Sequence, residues 1–339
     1  MGLSLAPLTL SSIQSLREHR VLPYMTENPA AFVGTVIVFL FVCVALCSPL
    51  IAPYSYQTII RNEERRAVKE QAPGEAYDIG YTVVGSELFP RNSRSRFGFI
   101  AGLRGSITFV LGTDWQGRDV YSRLIWGARD VLILPGLAAA FSVAIGASIG
   151  ATIGYMGGWL DEIISRLLEA LLAIPALVLA LVLIAAQPGG GSGISAVLSL
   201  LFVIVVIYTP IVARVIRSAT LAVRASGYVE EAKLRGESKA HIVFREIFPS
   251  VLPALVVEGA LRFSYAIFLN ASLGFLGLGV SPTSPEWGAT INQARRAGTM
   301  SLTPWATWPP VIAIAVLIIS INLMSDGLRR FFRYEGHHG

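Results

Sequence analysis

The sequence predicts an all-α polytopic membrane protein with six transmembrane helices. Of its 339 residues, 53% are hydrophobic and only 14% are charged, whereas soluble domains carry about 25% charged residues. Six segments are also long and apolar enough to cross a bilayer, which takes about 20 residues. The predicted spans are Ala31–Ala52, Val131–Ile153, Leu167–Ala186, Ile194–Ala213, Val251–Val280 and Ala306–Met324.

The first span is expected to remain in the mature chain. It begins late and is long, and no small-residue cleavage site marks it as a signal peptide, so residues 1–30 form an N-terminal segment. Cys43 and Cys47 share one face of this span, and we expect them to be small packing residues. The second span is rich in glycine and alanine, which favours close helix packing.

The distribution of basic residues predicts the orientation in the membrane. Six spans place both termini on one side. The segment 214–250 carries seven Lys or Arg residues and the tail 329–339 carries three, whereas Gln187–Gly193 carries none. The positive-inside rule therefore places the termini and the 214–250 segment in the cytoplasm. The segment 53–130 is basic too, but segments of this length escape the rule, and we expect it outside.

The external segment ends in a predicted interfacial helix. Thr113 and Gln116 have the spacing of a capping box. The apolar residues that follow share one helix face and lead into the second span, so residues 53–130 form an extramembrane segment and residues 131–328 the five-helix core. The same amphipathic spacing also fits a purely structural anchor.

The cytoplasmic segment is predicted to form two helices joined by a glycine. Ser226 is a candidate N-cap for a helix over Tyr228–Arg235, and Gly236 stands where helices end in the left-handed conformation. Ser238 starts a second short helix that Pro249 limits.

One face of the first of these helices carries Val229, Ala232 and Lys233, which we expect to fill a groove on a partner. The residues alone fit a basic amphipathic helix on anionic lipid equally well.

Four polar residues inside predicted spans are candidates for an ion pair or a pathway. Glu258 and Arg262 are four residues apart with the acid first, the favourable order for an ion pair on a helix. Unpaired, each costs about 2.5–3.5 kcal/mol at the bilayer centre, so we expect them to pair and to face the bundle interior or a pathway. Glu169 is a weaker candidate of the same kind, and Asn270 is expected to make an interhelical hydrogen bond.

The cytoplasmic segment resembles the EAA loop of bacterial ABC-importer permeases, the coupling helix that docks on an ATPase subunit. The matching positions are Glu230, Ala232, Gly236, Arg245, Phe248 and Pro249, and Glu231 stands where the family has alanine. Together with Glu231, these positions except Phe248 are the implied ATPase-coupling residues.

Two further stretches are similar to the C-type permeases of dipeptide, oligopeptide and nickel importers. One runs from Gly112 to Arg129 and the other from Leu273 to Gly288. The residues of the first that match the family motif are Gly112, Thr113, Asp114, Gly117, Arg118, Asp119, Arg123, Gly127 and Arg129.

This resemblance implies a type I importer permease in the bacterial inner membrane. Its implied partners are a second related permease, two ATPase subunits that hold ATP and magnesium, an extracytoplasmic binding protein and membrane lipid, without nucleic acid. The implied substrate is a di- or oligopeptide, with nickel complexes, glutathione-like compounds or oligosaccharides as alternatives.

The chain contains no phosphate-binding loop and no zinc-protease or serine-hydrolase motif. The expected chain is therefore a transport subunit without its own ATPase, cofactor or metal. Two other classes remain open: an intramembrane enzyme that uses Glu169, Glu258 and Arg262, and a membrane scaffold that does not transport.

Overall fold

The computed structural model describes residues 28–61, 67, 69–74, 76–77, 81–84, 87–90, 107–186, 194–281 and 283–335. Most of the predicted N-terminal segment and the last four residues lie outside these ranges. Within them the helices are α1 (Pro29–Leu46), α2 (Ser48–Ile51), α3 (Val120–Met156), α4 (Gly158–Leu172), α5 (Ala176–Ala185), α6 (Ile194–Val223), α7 (Gly227–Leu234), α8 (Lys239–His241), a π-helix (Ile242–Ile247), α9 (Phe248–Leu276), α10 (Trp287–Arg296) and α11 (Pro304–Glu335).

Five helical stretches are long and apolar enough to cross a membrane, and one bent helix pair brings the number to six. The spans predicted from the sequence are thus confirmed in number, although most of the helices are longer than predicted. The second begins at Val120 rather than Val131. The predicted interfacial helix is therefore the first part of α3, not a separate element.

The third predicted span, Leu167–Ala186, is wrong as a continuous helix. α4 ends at Leu172, and α5 starts at Ala176 after a bend of 90°. Pro175 lies in the break with an extended backbone. Because proline has no amide hydrogen and disfavours helical geometry in the residue before it, the helix stops here.

Small residues bring α3 and α6 into close contact. Gly146, Gly150 and Gly154 of α3 face the backbone of α6, and a Cβ added at Gly150 would collide with the carbonyl oxygen of Ala213. This spacing of four residues confirms the predicted role of the glycine-rich second span. It also fixes α3 and α6 at a distance that larger side chains would prevent.

The segment between α2 and α3 contains short strands, which the prediction of an all-helical chain did not include. They are β1 (Ile59–Arg61), β2 (Ala76–Tyr77), β3 (Tyr81–Val84), β4 (Glu87–Pro90) and β5 (Ile107–Thr108). β1, β3 and β4 form one antiparallel sheet in that order, and β2 pairs with β5. An isolated bridge between Ile59 and Arg118 connects β1 to the start of α3.

Candidate functional site

Two regions hold nearly all the residues that the sequence singles out. The elbow comprises residues 226–249. The hub comprises residues 112–130 and 284–305. α3 starts in the hub and ends where Tyr155 contacts Lys233 of the elbow, so the two regions lie at opposite ends of the bundle.

The first limb of the elbow is α7, one residue earlier in the chain than predicted. Ser226 occupies its N-cap position, with an extended backbone whose carbonyl accepts a hydrogen bond from the amide of Glu230 at 3.1 Å. The Ser226 hydroxyl makes no capping hydrogen bond. Ser226 therefore caps α7 through its backbone alone.

Gly236 turns the chain between the two limbs. Its φ of 78° lies in the left-handed region, as predicted. The amide of Gly236 donates to the carbonyl of Lys233 at 3.0 Å, and the amide of Glu237 donates to the carbonyl of Ala232 at 3.2 Å. These two bonds form a Schellman motif, in which glycine avoids the strain that a Cβ would bring.

The second limb begins as predicted but does not end at Pro249. Ser238 accepts a hydrogen bond from the amide of His241 at 3.3 Å, which confirms its cap. α8 then continues through the π-helix into α9, so residues 239–276 form one helical stretch. In the π-helix the amide of Phe248 donates to the carbonyl of Val243. Pro249 follows in the first turn of α9, where a missing amide hydrogen is tolerated.

Two apolar residues of α7, Val229 and Ala232, face the protein itself. Val229 and Ala232 are fully buried, so the prediction that they fill a groove on a partner is wrong. They pack against Ile242, Val243 and Ile247 of the π-helix. Glu230 and Glu231 are exposed, and Leu234 is 88% exposed. The face of α7 left open for a partner thus carries two acids, the basic Lys233, and the large side chains of Tyr228 and Leu234.

Four ionisable residues connect the two limbs of the elbow, and we call them the clasp: Arg235, Glu237, His241 and Glu246. Arg235 Nε lies 3.1 Å from Glu237 Oε1, and Arg235 Nη2 lies 3.5 Å from Glu246 Oε1. His241 Nε2 lies 2.6 Å from Glu237 Oε2. Two of the predicted ATPase-coupling residues, Arg245 and Pro249, lie on the second limb outside the clasp, and both are exposed.

The sequence groups no histidine with other metal ligands, but the fold does. Ligand atoms of Glu237, His241 and Glu246 lie within 4.8 Å of one another. Both carboxylates already pair with Arg235. The two carboxylates of this cluster therefore already have a cationic partner within the protein.

The predicted ion pair in α9 is present. Arg262 Nε lies 2.8 Å from Glu258 Oε1, and both residues are 7% exposed, although the two atoms lack the alignment of a hydrogen bond. The Arg262 guanidinium also lies 4.8 Å from the ring centroid of Tyr265 and 5.7 Å from that of Tyr208. These cation–π contacts add to the pairing of a cation inside the bundle.

The other two intramembrane candidates differ in their surroundings. Glu169 lies 3.6 Å from Arg214, and more than half of each side chain is exposed. Asn270 is buried, and its amide nitrogen lies 3.4 Å from Glu286 Oε1. The predicted interhelical hydrogen bond of Asn270 thus goes to the N-cap residue of α10.

In the hub, Asp114 organises the turn before α3. Its Oδ1 accepts hydrogen bonds from the amides of Gln116 and Arg118, each at 2.9 Å, and its Oδ2 pairs with the Arg118 side chain at 2.7 Å. A glycine with a left-handed backbone stands on each side of this turn, Gly112 before it and Gly117 near its end.

The predicted capping box of Thr113 and Gln116 is wrong. The Thr113 hydroxyl accepts a hydrogen bond from the amide of Gln71, and the N-cap of α3 is Asp119, which accepts from the amide of Ser122 at 2.8 Å. Burial raises the pKa of Asp119, although the hydrogen bonds from Ser122 oppose the shift. The helix starts later because residues 113–119 are held in the turn.

Two buried arginines connect this turn to α10 and to the loop before α10, which lie far from it in the sequence. Arg118 Nη2 donates to Gln293 Oε1 at 2.6 Å. Arg123 Nη2 donates to the carbonyl of Ser284 at 2.9 Å and to Thr290 Oγ1 at 3.1 Å. The family motif at residues 112–129 therefore binds α10 and the loop before it, whereas Arg129, at the end of the motif, is exposed.

The two family motifs also pack directly against each other. Trp287 is 1% exposed, and its indole nitrogen donates to the carbonyl of Leu124 at 3.0 Å. A Cβ added at Gly127 would lie 2.6 Å from the Trp287 ring. The contacts between these two motifs therefore lie within the hub.

Glu286 is a buried hub residue that sequence reasoning missed. Its Oε2 accepts a hydrogen bond from the amide of Ala289 at 2.7 Å, which caps α10. Burial raises its pKa to about 7, and the charge of Asp130 adds to the shift. An acid just before Trp287 and an amphipathic run was the available signal, since acids favour N-cap positions.

Comparisons with known proteins agree with these motifs. Residues 132–334 match the binding-protein-dependent transport system inner membrane component, and residues 20–73 match the N-terminal TM domain of oligopeptide transport permease C.

Similar proteins include two glutathione transport system permease proteins named GsiD. The one from Pectobacterium atrosepticum is 39% identical, over 65% of this chain and 70% of its own length. The one from Salmonella typhimurium is 35% identical, over 71% of this chain and 78% of its own length. A solved amino acid ABC transporter with histidines aligns at a TM-score of 0.45 and 20% identity, over 63% of this chain and 94% of that one.

The first family covers well over half of the chain, including the elbow, α9 and the hub helix α10. The chain therefore belongs to the binding-protein-dependent ABC importer family, as a multi-pass inner-membrane permease subunit that is not itself an enzyme.

Proposed function

We propose that this permease imports a short peptide that a binding protein delivers. Its N-terminal region matches an oligopeptide permease, and its relatives are named for the transport of glutathione, which is a tripeptide. Both observations support the peptide class. Nickel complexes and oligosaccharides are the alternatives that an uptake assay distinguishes.

The proposed assembly contains this chain, a second related permease, two ATPase subunits and the binding protein. ATP and magnesium belong on the ATPases, because this chain has no phosphate-binding loop: its three lysines are Lys69, Lys233 and Lys239, and none follows a glycine. The two permeases would enclose the pathway between them.

The elbow and both termini are proposed to face the cytoplasm. The basic residues of 214–250 and of the C-terminal tail support this orientation. α3 connects the elbow to the hub at the other end of the bundle, so the hub and the strands before α3 face outside, where the binding protein arrives.

The observation that carries the proposed coupling role is the exposure pattern of α7. One face is fixed to the chain by buried Val229 and Ala232, while Glu230, Glu231 and Leu234 remain open. A helix anchored on one side and exposed on the other can dock on an ATPase and transmit its movement. That movement would pass into α9, which carries Glu258 and Arg262, the proposed pathway pair.

Docking is tested in the complete purified importer with Leu234→Asp and Glu230→Arg. We expect the ATPase to co-purify roughly tenfold less well, because residues at the centre of an interface contribute most of its affinity. The matched control is Leu302→Asp, an exposed leucine of the hub (70% exposed). ATPase binding that is unchanged in both elbow variants would remove the coupling role.

The substrate is tested in proteoliposomes that contain the whole importer and its binding protein. We expect ATP-dependent accumulation of labelled tripeptide and of glutathione, but not of a nickel–histidine complex or maltotriose. Accumulation of only one of the last two would overturn the peptide proposal and leave the permease assignment intact.

A further inference from the structure

We propose that Arg235 is a positioning residue for energy coupling. Through the clasp it fixes the angle between the two limbs of the elbow, so that a force on α7 turns α9 instead of bending the elbow. This inference rests on the proposed function, in which α7 receives the ATPase.

The position of Arg235 suits this role. It is the C-cap residue of α7 and directly precedes the Gly236 turn. Its guanidinium pairs with Glu237 just past the turn, with Glu246 in the π-helix, and at 4.0 Å with Glu231 of its own helix. One side chain thus touches both limbs and the turn between them.

The π-helix brings Glu246 to the same side as the rest of the clasp. In a regular α-helix, residues five apart point about 140° away from each other, at 3.6 residues per turn. The i→i+5 bonding of Ile242–Ile247 places such residues nearly one turn above one another. Glu246 can therefore reach Arg235 while His241, five residues earlier, reaches Glu237.

The clasp makes the contact between the two limbs depend on their orientation. The rest of that contact is apolar. Val229 and Ala232 bind α7 to the π-helix through packing, and apolar attraction does not depend on orientation. Ion pairs of a guanidinium with carboxylates are directional. The packing therefore holds the limbs together, and the clasp determines how they are oriented.

Beyond the clasp, the second limb is continuous with the transport machinery. Residues 239–276 form one helical stretch that includes Glu258, Arg262 and Asn270. Asn270 contacts Glu286, the cap of α10 in the hub. Rotation of the second limb would therefore reach the pathway pair and the hub.

The test compares Arg235→Gln, Glu246→Gln and the double variant in the reconstituted importer. We expect each single variant to move roughly three- to tenfold less substrate per ATP hydrolysed, in line with substitutions along coupling networks. The double variant should be no worse than Arg235→Gln alone, because Arg235→Gln already removes the contact with Glu246. ATPase co-purification and melting temperature should stay close to wild type.

The matched control is Lys239→Gln, an exposed cation of the same elbow for which the described residues show no ion pair. It should couple like wild type. Spin labels at Gly227→Cys and Ala240→Cys, with Cys43 and Cys47 replaced by serine, report the distance between the limbs. That distribution should broaden in Arg235→Gln.

Normal coupling in Arg235→Gln, with the ATPase bound, would overturn the positioning role and leave the proposed function standing. Loss of ATPase binding in Arg235→Gln would also overturn it, since Arg235 would then be a docking contact. Failure of the proposed function itself shows separately, as ATPase binding that survives Leu234→Asp and Glu230→Arg.

Discussion

The hub and the elbow are both built around arginines, but they differ in how much water those arginines meet. Arg123 of the hub is 2% exposed, and its bonds go to oxygens of α10, of the preceding loop and of the Tyr56 backbone. The side chain of Arg235 in the elbow is 50% exposed and pairs only with carboxylates. A buried set of bonds is shielded from water, whereas water competes with an exposed network and weakens its contribution to stability. The comparison indicates that the hub arginine anchors the fold, whereas the clasp orients the two limbs of the elbow with little effect on stability.

The largest expected effect comes from breaking the anchor with Arg123→Met. Loss of its buried hydrogen bonds should lower the free energy of unfolding by roughly 3–5 kcal/mol, at about 1.5–3 kcal/mol for each bond to a charged group. Thermal unfolding of the purified importer measures this. The control is Arg129→Met, an exposed arginine of the same motif, for which a change below about 0.5 kcal/mol is expected. Equal effects of the two would contradict a buried anchor.

The next effect is a pH dependence of the stability of the hub. Because burial raises the pKa of Glu286 from 4.5 to about 7, the folded protein holds more protons than the unfolded chain between these values. The free energy of unfolding should therefore fall as pH rises from 4.5 to 7, by roughly 3 kcal/mol at 1.36 kcal/mol per unit. Melting curves at pH 5 and pH 8 measure the fall. Glu286→Gln should remove most of it; an identical fall in that variant would assign the dependence to other groups.

Gly236→Pro tests the elbow, the other region in the comparison. Proline cannot adopt the φ of 78° and has no amide to donate to Lys233, so the turn should lose about 2–3 kcal/mol. We expect substrate-stimulated ATP hydrolysis to disappear while the hub melts as in wild type. Gly227→Ala is the matched control, since nothing lies within 4 Å of an added Cβ there. Full stimulation in Gly236→Pro would contradict a role for the turn.

The smallest effects distinguish the two caps of the elbow. Ser238→Ala should cost about 1 kcal/mol, because its hydroxyl caps the second limb. Ser226→Ala should cost much less, since the Ser226 hydroxyl makes no capping bond. Hydrogen exchange of the amides of His241 and Glu230 measures the two changes locally. Equal losses would show that Ser226 caps through its side chain after all.

The parts of the fold predicted from sequence are those set by local chemistry. Apolar length placed the spans, the left-handed preference of glycine placed the Gly236 turn, and helix periodicity placed the Glu258–Arg262 pair. The sequence did not predict the bend at Pro175. Pro210 lies in a similar apolar run and stays inside a continuous helix, so a proline in such a run does not by itself indicate a break. Only neighbouring helices decide between the two outcomes.

The site was less predictable because it depends on distant contacts. Thr113 had a capping pattern, but Gln71 competes for its hydroxyl. Val229 and Ala232 formed an apolar face, but the sequence did not show that the π-helix covers it. Glu286 stands 16 residues from Asn270, and no local pattern connects them.

The π-helix has a consequence for how this chain tolerates insertions and deletions. Each residue of an α-helix advances the chain by about 100°, and Ile242–Ile247 holds one residue more per turn than α-helical geometry allows. Deleting a single residue there would restore regular α-helical geometry and leave α7 on nearly the same side of the axis of α9, because the wider turn already absorbs the extra residue. The same deletion in the regular part of α9 has no wider turn to absorb it, and it would rotate α7 by about 100° relative to the rest of that helix.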